Sequence, residues 1–397
     1  MSHADGHTPV RGPFRRFFAV LGPGLISGAA DDDPSSIGTY SVVGAQFGTS
    51  VLWTAFITWP LIAAVQIVCA RIGLVTGRGL ARALGEKFPQ AIVAAVSLGL
   101  LVANTITVGA DLSAMADAAE MLSGLNSHYF VIFLGVIIAL GTVLFRYRQI
   151  ANLLKWFALC LFIYVLTAFV IHPNWNTILR ETFLPIWPTG HEVWAGLVAI
   201  FGATISPYVF FWQASQDPEE NGHLGPVMHF HEQRARTKRI GARNLGVAAG
   251  TVFSNLAMYF IILTTALTLH RSGITNIDTS RDAAAALVPL AGPFAATLFT
   301  VGIVGVGLVS IPILITSAAY ALAETFRWKA GLNEKFRAAR AFYSVIILSI
   351  ITGIALDFAN VSPMKGLYWA AIVNGVLAPF LLIGILIVAS DRKIMRQ

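Results

Sequence analysis

The feature that most constrains this chain is a succession of apolar stretches long enough to cross a lipid bilayer, which takes about 20 helical residues. Ten such spans are read, at 17–46, 51–72, 91–122, 130–145, 154–171, 193–216, 245–268, 294–322, 342–357 and 366–389. Hydrophobic residues make up 56% of the 397 and charged residues only 12%, about half the charged share of a soluble protein. That leaves too little polar surface to cover a soluble core. A soluble enzyme, a disordered chain and a secreted disulfide scaffold are excluded on this ground. Cys69 and Cys160 both fall in apolar runs, so no disulfide framework is indicated. The polar start of the chain lacks the pattern of a cleaved signal peptide. The expected class is an all-α polytopic membrane protein.

An even number of spans puts both termini on one side. Of the 27 lysines and arginines, all but Arg180, Arg271, Arg281 and Lys365 then fall on the side of the termini. The positive-inside rule makes that side the cytoplasm, and the expected location is a bacterial-type plasma membrane. The net charge of +7 therefore reads as topology and contact with anionic membrane lipids, not as a nucleic-acid footprint. His223, His229 and His231 in the segment 217–244 are read as part of a solvated cytoplasmic loop in preference to a weak metal cluster.

The first span is broken in its middle by Asp31-Asp32-Asp33-Pro34-Ser35-Ser36. Carboxylates are costly at membrane depth, and proline removes an amide donor and clashes with the preceding turn. Unwound backbone survives there only if it is packed in protein or lines a wet cavity. The alternative is a turn at the membrane surface, which would leave a 14-residue segment, Phe17–Ala30, too short to span. The sixth span is interrupted similarly, at Gly202-Ala203-Thr204-Ile205-Ser206-Pro207-Tyr208. The two broken spans each open a set of five. Paired broken helices at corresponding positions of two halves point to a transporter site. An odd number of spans per half makes the repeat an inverted one. The third span adds Asp111, well inside it, with Asp117 six residues further and Glu120 near its end.

Gly22-Pro23-Gly24, Asp33-Pro34 and Gly44-Ala45-Gln46-Phe47-Gly48 together resemble the first helix of the Nramp divalent-metal transporters, whose signature there is Asp-Pro-Gly-Asn followed by Gly-Ala-Gln-Tyr-Gly. The run Ala203–Tyr208 is similar to the family's Ala-x-x-Met-Pro-His. The resemblance implies a LeuT-like fold, a five-plus-five inverted repeat with discontinuous first and sixth helices. It also implies a metal site at Asp33, Ser36, the carbonyl of Ala203 and Ser206. Asp31, Asp32, Thr107, Asp111, Asp117, Gln46, Tyr208, Gln213 and Asn374 are expected as secondary or pathway residues.

The departures from the family pattern concern the ligands themselves. Ser36 stands where the family has asparagine, and Ser206 where it has methionine. Tyr208 and Gln213 replace the two histidines of the sixth helix. Ala114 replaces an acid in the third, and Ala371 replaces a glutamine in the tenth, with Asn374 the nearest amide. Soft sulfur favours softer divalent ions, whereas an all-oxygen set suits Mg²⁺ and Mn²⁺. The chain thus resembles the Nramp-related magnesium transporters. Every one of the nine histidines lies in a loop, in a tail or just past the end of a span, so passive uptake driven by membrane potential is expected. The alternative is proton-coupled Mn²⁺ and Fe²⁺ symport through Asp33 and Asp111.

The expected organisation is a cytoplasmic arm at 1–16, a first repeat at 17–171, an extracytoplasmic loop at 172–192, a second repeat at 193–389 and a tail at 390–397. The chain is expected to act as a monomer, with divalent metal ions and membrane lipids as partners, without a cofactor and without enzymatic activity. An organic-solute transporter would present glycines and amides to its ligand in place of an aspartate cluster. An enzyme would need a nucleophile–base pair or a metal set that the spans do not contain.

Overall fold

The computed structural model describes residues 31–144, 161–184, 190, 192–221, 233–359 and 362–395. Among the described residues eight helices are long and apolar enough to cross a membrane, and they match eight of the ten expected spans. Of the first expected span the structure describes α1 (Pro34–Phe47), and of the fifth it describes α5 (Phe162–Val170). The other halves of these two spans, together with Cys160, Gly22-Pro23-Gly24 and the three loop histidines, lie outside the described residues.

Three long helices follow α1 in the first half: α2 (Thr54–Thr76), α3 (Gln90–Ser123) and α4 (Ser127–Leu144). The fourth span reads as short in sequence. It reaches full length because the helix starts three residues earlier, at Ser127, where Glu120 accepts the backbone N–H at 2.7 Å. The segment between the halves is not a plain loop, since it carries α6 (Trp175–Phe183), capped by the side chain of Asn174.

In the second half, α7 (Glu192–Thr204) and α8 (Pro207–Asn221) are the two parts of the broken span. They are followed by α9 (Gln233–Thr268), the short α10 (Ser280–Ala285), α11 (Ala295–Thr325), α12 (Arg340–Asp357) and α13 (Pro363–Ala389). The reading of 217–244 as a loop is corrected at both ends. Helix α8 runs on to Asn221, and α9 begins at Gln233. Arg, Lys, Gln and Ala in Gln233–Asn244 are good helix formers, so the span extends beyond its apolar part.

Two apolar clusters hold the helices together. One gathers Met115, Phe210, Phe211, Leu314 and Phe342, and the other Val43, Ile200, Ile261, Leu263 and Leu367. Large apolar side chains such as Phe133, Trp369 and Phe380 stay exposed, as a lipid-facing surface requires. Small residues set the closest crossings. A Cβ on Gly202 would lie 1.9 Å from the Ala371 carbonyl oxygen and 2.4 Å from the Gly375 nitrogen. Only glycine lets α7 and α13 meet backbone to backbone there.

Candidate metal site at two helix breaks

The chain is unwound at Asp32 and Asp33 because the next residue is a proline. Pro34 begins α1, a position where its missing N–H is no loss. Asp33 is extended, with φ −66° and ψ 170°, and caps α1: its Oδ1 accepts the Ser36 N–H at 2.7 Å. The second break repeats this logic, with α7 ending at Thr204 and Pro207 starting α8. The break frees the Ala203 carbonyl, at the negative end of the α7 dipole.

The two breaks meet. Ser36 Oγ lies 2.8 Å from Asp33 Oδ1, 3.1 Å from the Ala203 oxygen and 3.1 Å from the Asp31 oxygen. Ser206 Oγ donates to the same Ala203 oxygen at 2.9 Å. One serine proton thus faces three acceptors, and the junction is richer in oxygen lone pairs than in donors, an arrangement suited to a cation. Asp33, Ser36, Ala203 and Ser206 are each 3% exposed or less. The alternative of a surface turn for Asp31–Asp33 does not hold, because all three are buried among helices.

The expected pathway residues divide. Tyr208 belongs to the site and donates to Asp33 Oδ2 at 3.2 Å. Asp31 Oδ2 accepts from Gln66 on α2 at 3.3 Å, and Gln66 in turn accepts from Gln213 at 3.2 Å. Arg243 closes this chain, donating to Gln213 at 3.0 Å and to Gln216 at 2.6 Å. Asp32 Oδ1 accepts from Ser254 on α9 at 2.9 Å. Asp111 is fully buried. It lies toward Ser35 and Asp33.

Others stand apart. Asn374 donates to Thr107 at 3.4 Å, a pair between α13 and α3. Gln46 is ten residues along α1 from Ser36, about 15 Å away. Asp117 Oδ2 accepts the Ser280 N–H, at the start of α10, at 2.7 Å. A carboxylate at a helix N-terminus is stabilised by the free amides there.

Sequence reasoning missed Gln66, Arg243 and Ser254, all polar residues in or beside apolar spans. The Tyr40 hydroxyl pairs with Thr204 at 3.1 Å and ties α1 to the end of α7. Among the described residues no three His, Cys, Asp or Glu side chains converge as a closed metal centre. The junction instead sets one carboxylate among hydroxyl and carbonyl oxygens.

Comparison with known proteins agrees with this architecture. The chain is 27% identical over 405 residues to a "divalent metal cation transporter MntH" of Caldanaerobacter subterraneus, covering 96% of this chain and 87% of that one. Its fold superposes on a manganese transporter of Eremococcus coleocola with a TM-score of 0.75, at 16% identity, over 98% of this chain and 82% of the other. It also superposes on Mhp1, a nucleobase-cation-symport-1 family transporter, with a TM-score of 0.60, at 15% identity, over 92% and 78% of the two chains. The fold is the LeuT-like inverted repeat with discontinuous first and sixth helices. The family model for natural resistance-associated macrophage protein-like chains matches residues 24–397, and the chain therefore belongs to the Nramp family.

Proposed function

We propose that the chain is a divalent-cation uptake transporter for Mg²⁺ and Mn²⁺, working by alternating access around the junction of the two broken helices. The observation that carries this reading is the meeting of Asp33, Ser36, Ser206 and the Ala203 carbonyl within hydrogen-bond distances. Relatives named as divalent metal cation and manganese transporters support the ion class. The donor set is all oxygen, with serine hydroxyls where bulkier or softer side chains stand in the family pattern. Hard ions prefer such donors, and Mg²⁺ keeps part of its water shell, for which small serines leave room.

Uptake in this reading is not coupled to protons. Tyr208 and Gln213 occupy the sixth-helix positions of the family's histidines, and Ala114 the place of an acid in α3. The membrane potential suffices, since a dication gains about 4.6 kcal/mol per 100 mV, twice the value for a single charge. The chain works as a monomer in a plasma membrane, with both termini in the cytoplasm, where the basic loops meet anionic lipid headgroups.

The test is flux into proteoliposomes carrying a Mg²⁺-sensitive dye and, in parallel, a pH dye. Mg²⁺ influx that Mn²⁺ inhibits, with no acidification of the lumen, is the expected result. Acidification that tracks metal entry would replace this reading with proton symport. Mn²⁺ or Fe²⁺ uptake indifferent to excess Mg²⁺ would remove the Mg²⁺ assignment.

A further inference from the structure

Three consecutive carboxylates, Asp31, Asp32 and Asp33, are 1%, 0% and 2% exposed. Among the described residues the donors that reach them are all neutral: the Gln66 amide on Asp31, the Ser254 hydroxyl on Asp32, and Ser36 and Tyr208 on Asp33. Among the described residues the ion pairs lie elsewhere, and none involves these three. Neutral hydrogen bonds do not repay the removal of several adjacent charges from water. A dication held at Asp33 accounts for one of the three and leaves the other two uncovered.

Those two are arranged to receive something. Oδ1 of Asp31 and Oδ2 of Asp32 are buried with no hydrogen-bond partner. Ser254 comes from a different helix, α9, is 3% exposed, and faces both carboxylates, donating to Asp32 and interacting with Asp31. Asp111 is directed instead toward Asp33 and Ser35.

We propose that Asp31, Asp32 and Ser254 form a second cation site, for a monovalent alkali ion carried or held beside the dication; this rests on the reading that the Asp33 junction takes a dication. Carboxylate and hydroxyl oxygens are hard donors, which fixes the ligand as an oxygen-seeking cation. Its valence follows from two magnitudes. A second dication this close would repel the first twice as strongly as a monovalent ion does. A strongly hydrated dication also keeps several waters, and surroundings no more than 3% exposed offer them little access.

Sodium is the probe. At sub-saturating Mg²⁺, replacing choline by sodium is expected to raise Mg²⁺ influx into proteoliposomes at least ~5-fold, the lower end of usual coupling between two sites. Ser254→Ala and Asp32→Asn raise the sodium concentration for half effect about tenfold, and Ser254→Thr, which keeps the hydroxyl, restores it. Direct binding of ²²Na⁺ to the purified protein, saturable and weakened by Ser254→Ala, is expected independently of any flux. Equal Mg²⁺ influx in choline and sodium, or no saturable ²²Na⁺ binding, overturns the second site. Saturable ²²Na⁺ binding without dication movement under any condition leaves the site standing and overturns the transport reading instead.

Discussion

Tyr208 donates its hydroxyl to Oδ2 of Asp33 across 3.2 Å, joining the second broken helix to the first. This bond stabilises a buried carboxylate, a task that a dication at Asp33 would take over on the proposed reading. Tyr208→Phe therefore weakens the empty state more than the loaded one. A hydrogen bond to a charged group contributes about 1.5–3 kcal/mol. The stabilisation that Mg²⁺ gives in a thermal-shift assay is expected to be larger in the variant than in the wild type. Equal shifts would mean that the hydroxyl and the ion do not share Asp33.

Asp33→Asn separates charge from architecture. Asparagine caps a helix about as well as aspartate, so α1 keeps its start while the site loses its carboxylate. Uptake of Mg²⁺ and Mn²⁺ is expected to fall about a hundredfold, the upper range for disturbing a metal's supporting groups, with an unchanged elution profile. Retained uptake would move the ion elsewhere.

Ser206→Met puts a thioether beside the Ala203 carbonyl. Soft sulfur favours later divalent ions, so competition assays are expected to show Cd²⁺ and Mn²⁺ gaining on Mg²⁺. An unaltered selectivity order would exclude Ser206 from the ion's contacts.

The tail gives a prediction in pH. The Lys87 ammonium beside Asp391, together with the N–H groups of Ile394 and Lys393, holds the Asp391 carboxyl below the usual carboxylate range. A lowered acid pKa contributes stability above its unfolded value, about 3.9, and loses it as pH falls through the folded one. Asp391→Asn should lower Tm slightly at pH 7, and the difference from wild type should begin to shrink below about pH 4 and vanish once the pH is under the folded value. A difference that persists there would point to packing as its source.

Most of the frame was legible because its causes are local. Spans announce themselves by length, and Pro34 and Pro207 force the breaks wherever the helices go. Pairing those breaks pointed to one site, and the family resemblance supplied Asp33, Ser36, Ala203 and Ser206 as its residues. Partners supplied across the fold were not legible. Ser254 bonds Asp32 from 222 positions away, and Gln66 and Arg243 join the site only through packing of α2 and α9 around it. No periodicity marks such residues. The bond from Ser280 to Asp117 was hidden for a related reason: an isolated acid in a helix reads alike whether or not it caps a neighbour.

The seam at Gly202 carries a mechanical consequence. With no side chain between them, α7 and α13 have no cushion over which to slide, and a single methyl at Gly202 is expected to cost about 1–3 kcal/mol or more in melting assays. The two helices must travel as one piece. A bend between α7 and α8 is taken up most readily at Ser206, beyond the last helical bond of α7, which runs from the Ile205 N–H to the Phe201 carbonyl at 2.7 Å, and before Pro207.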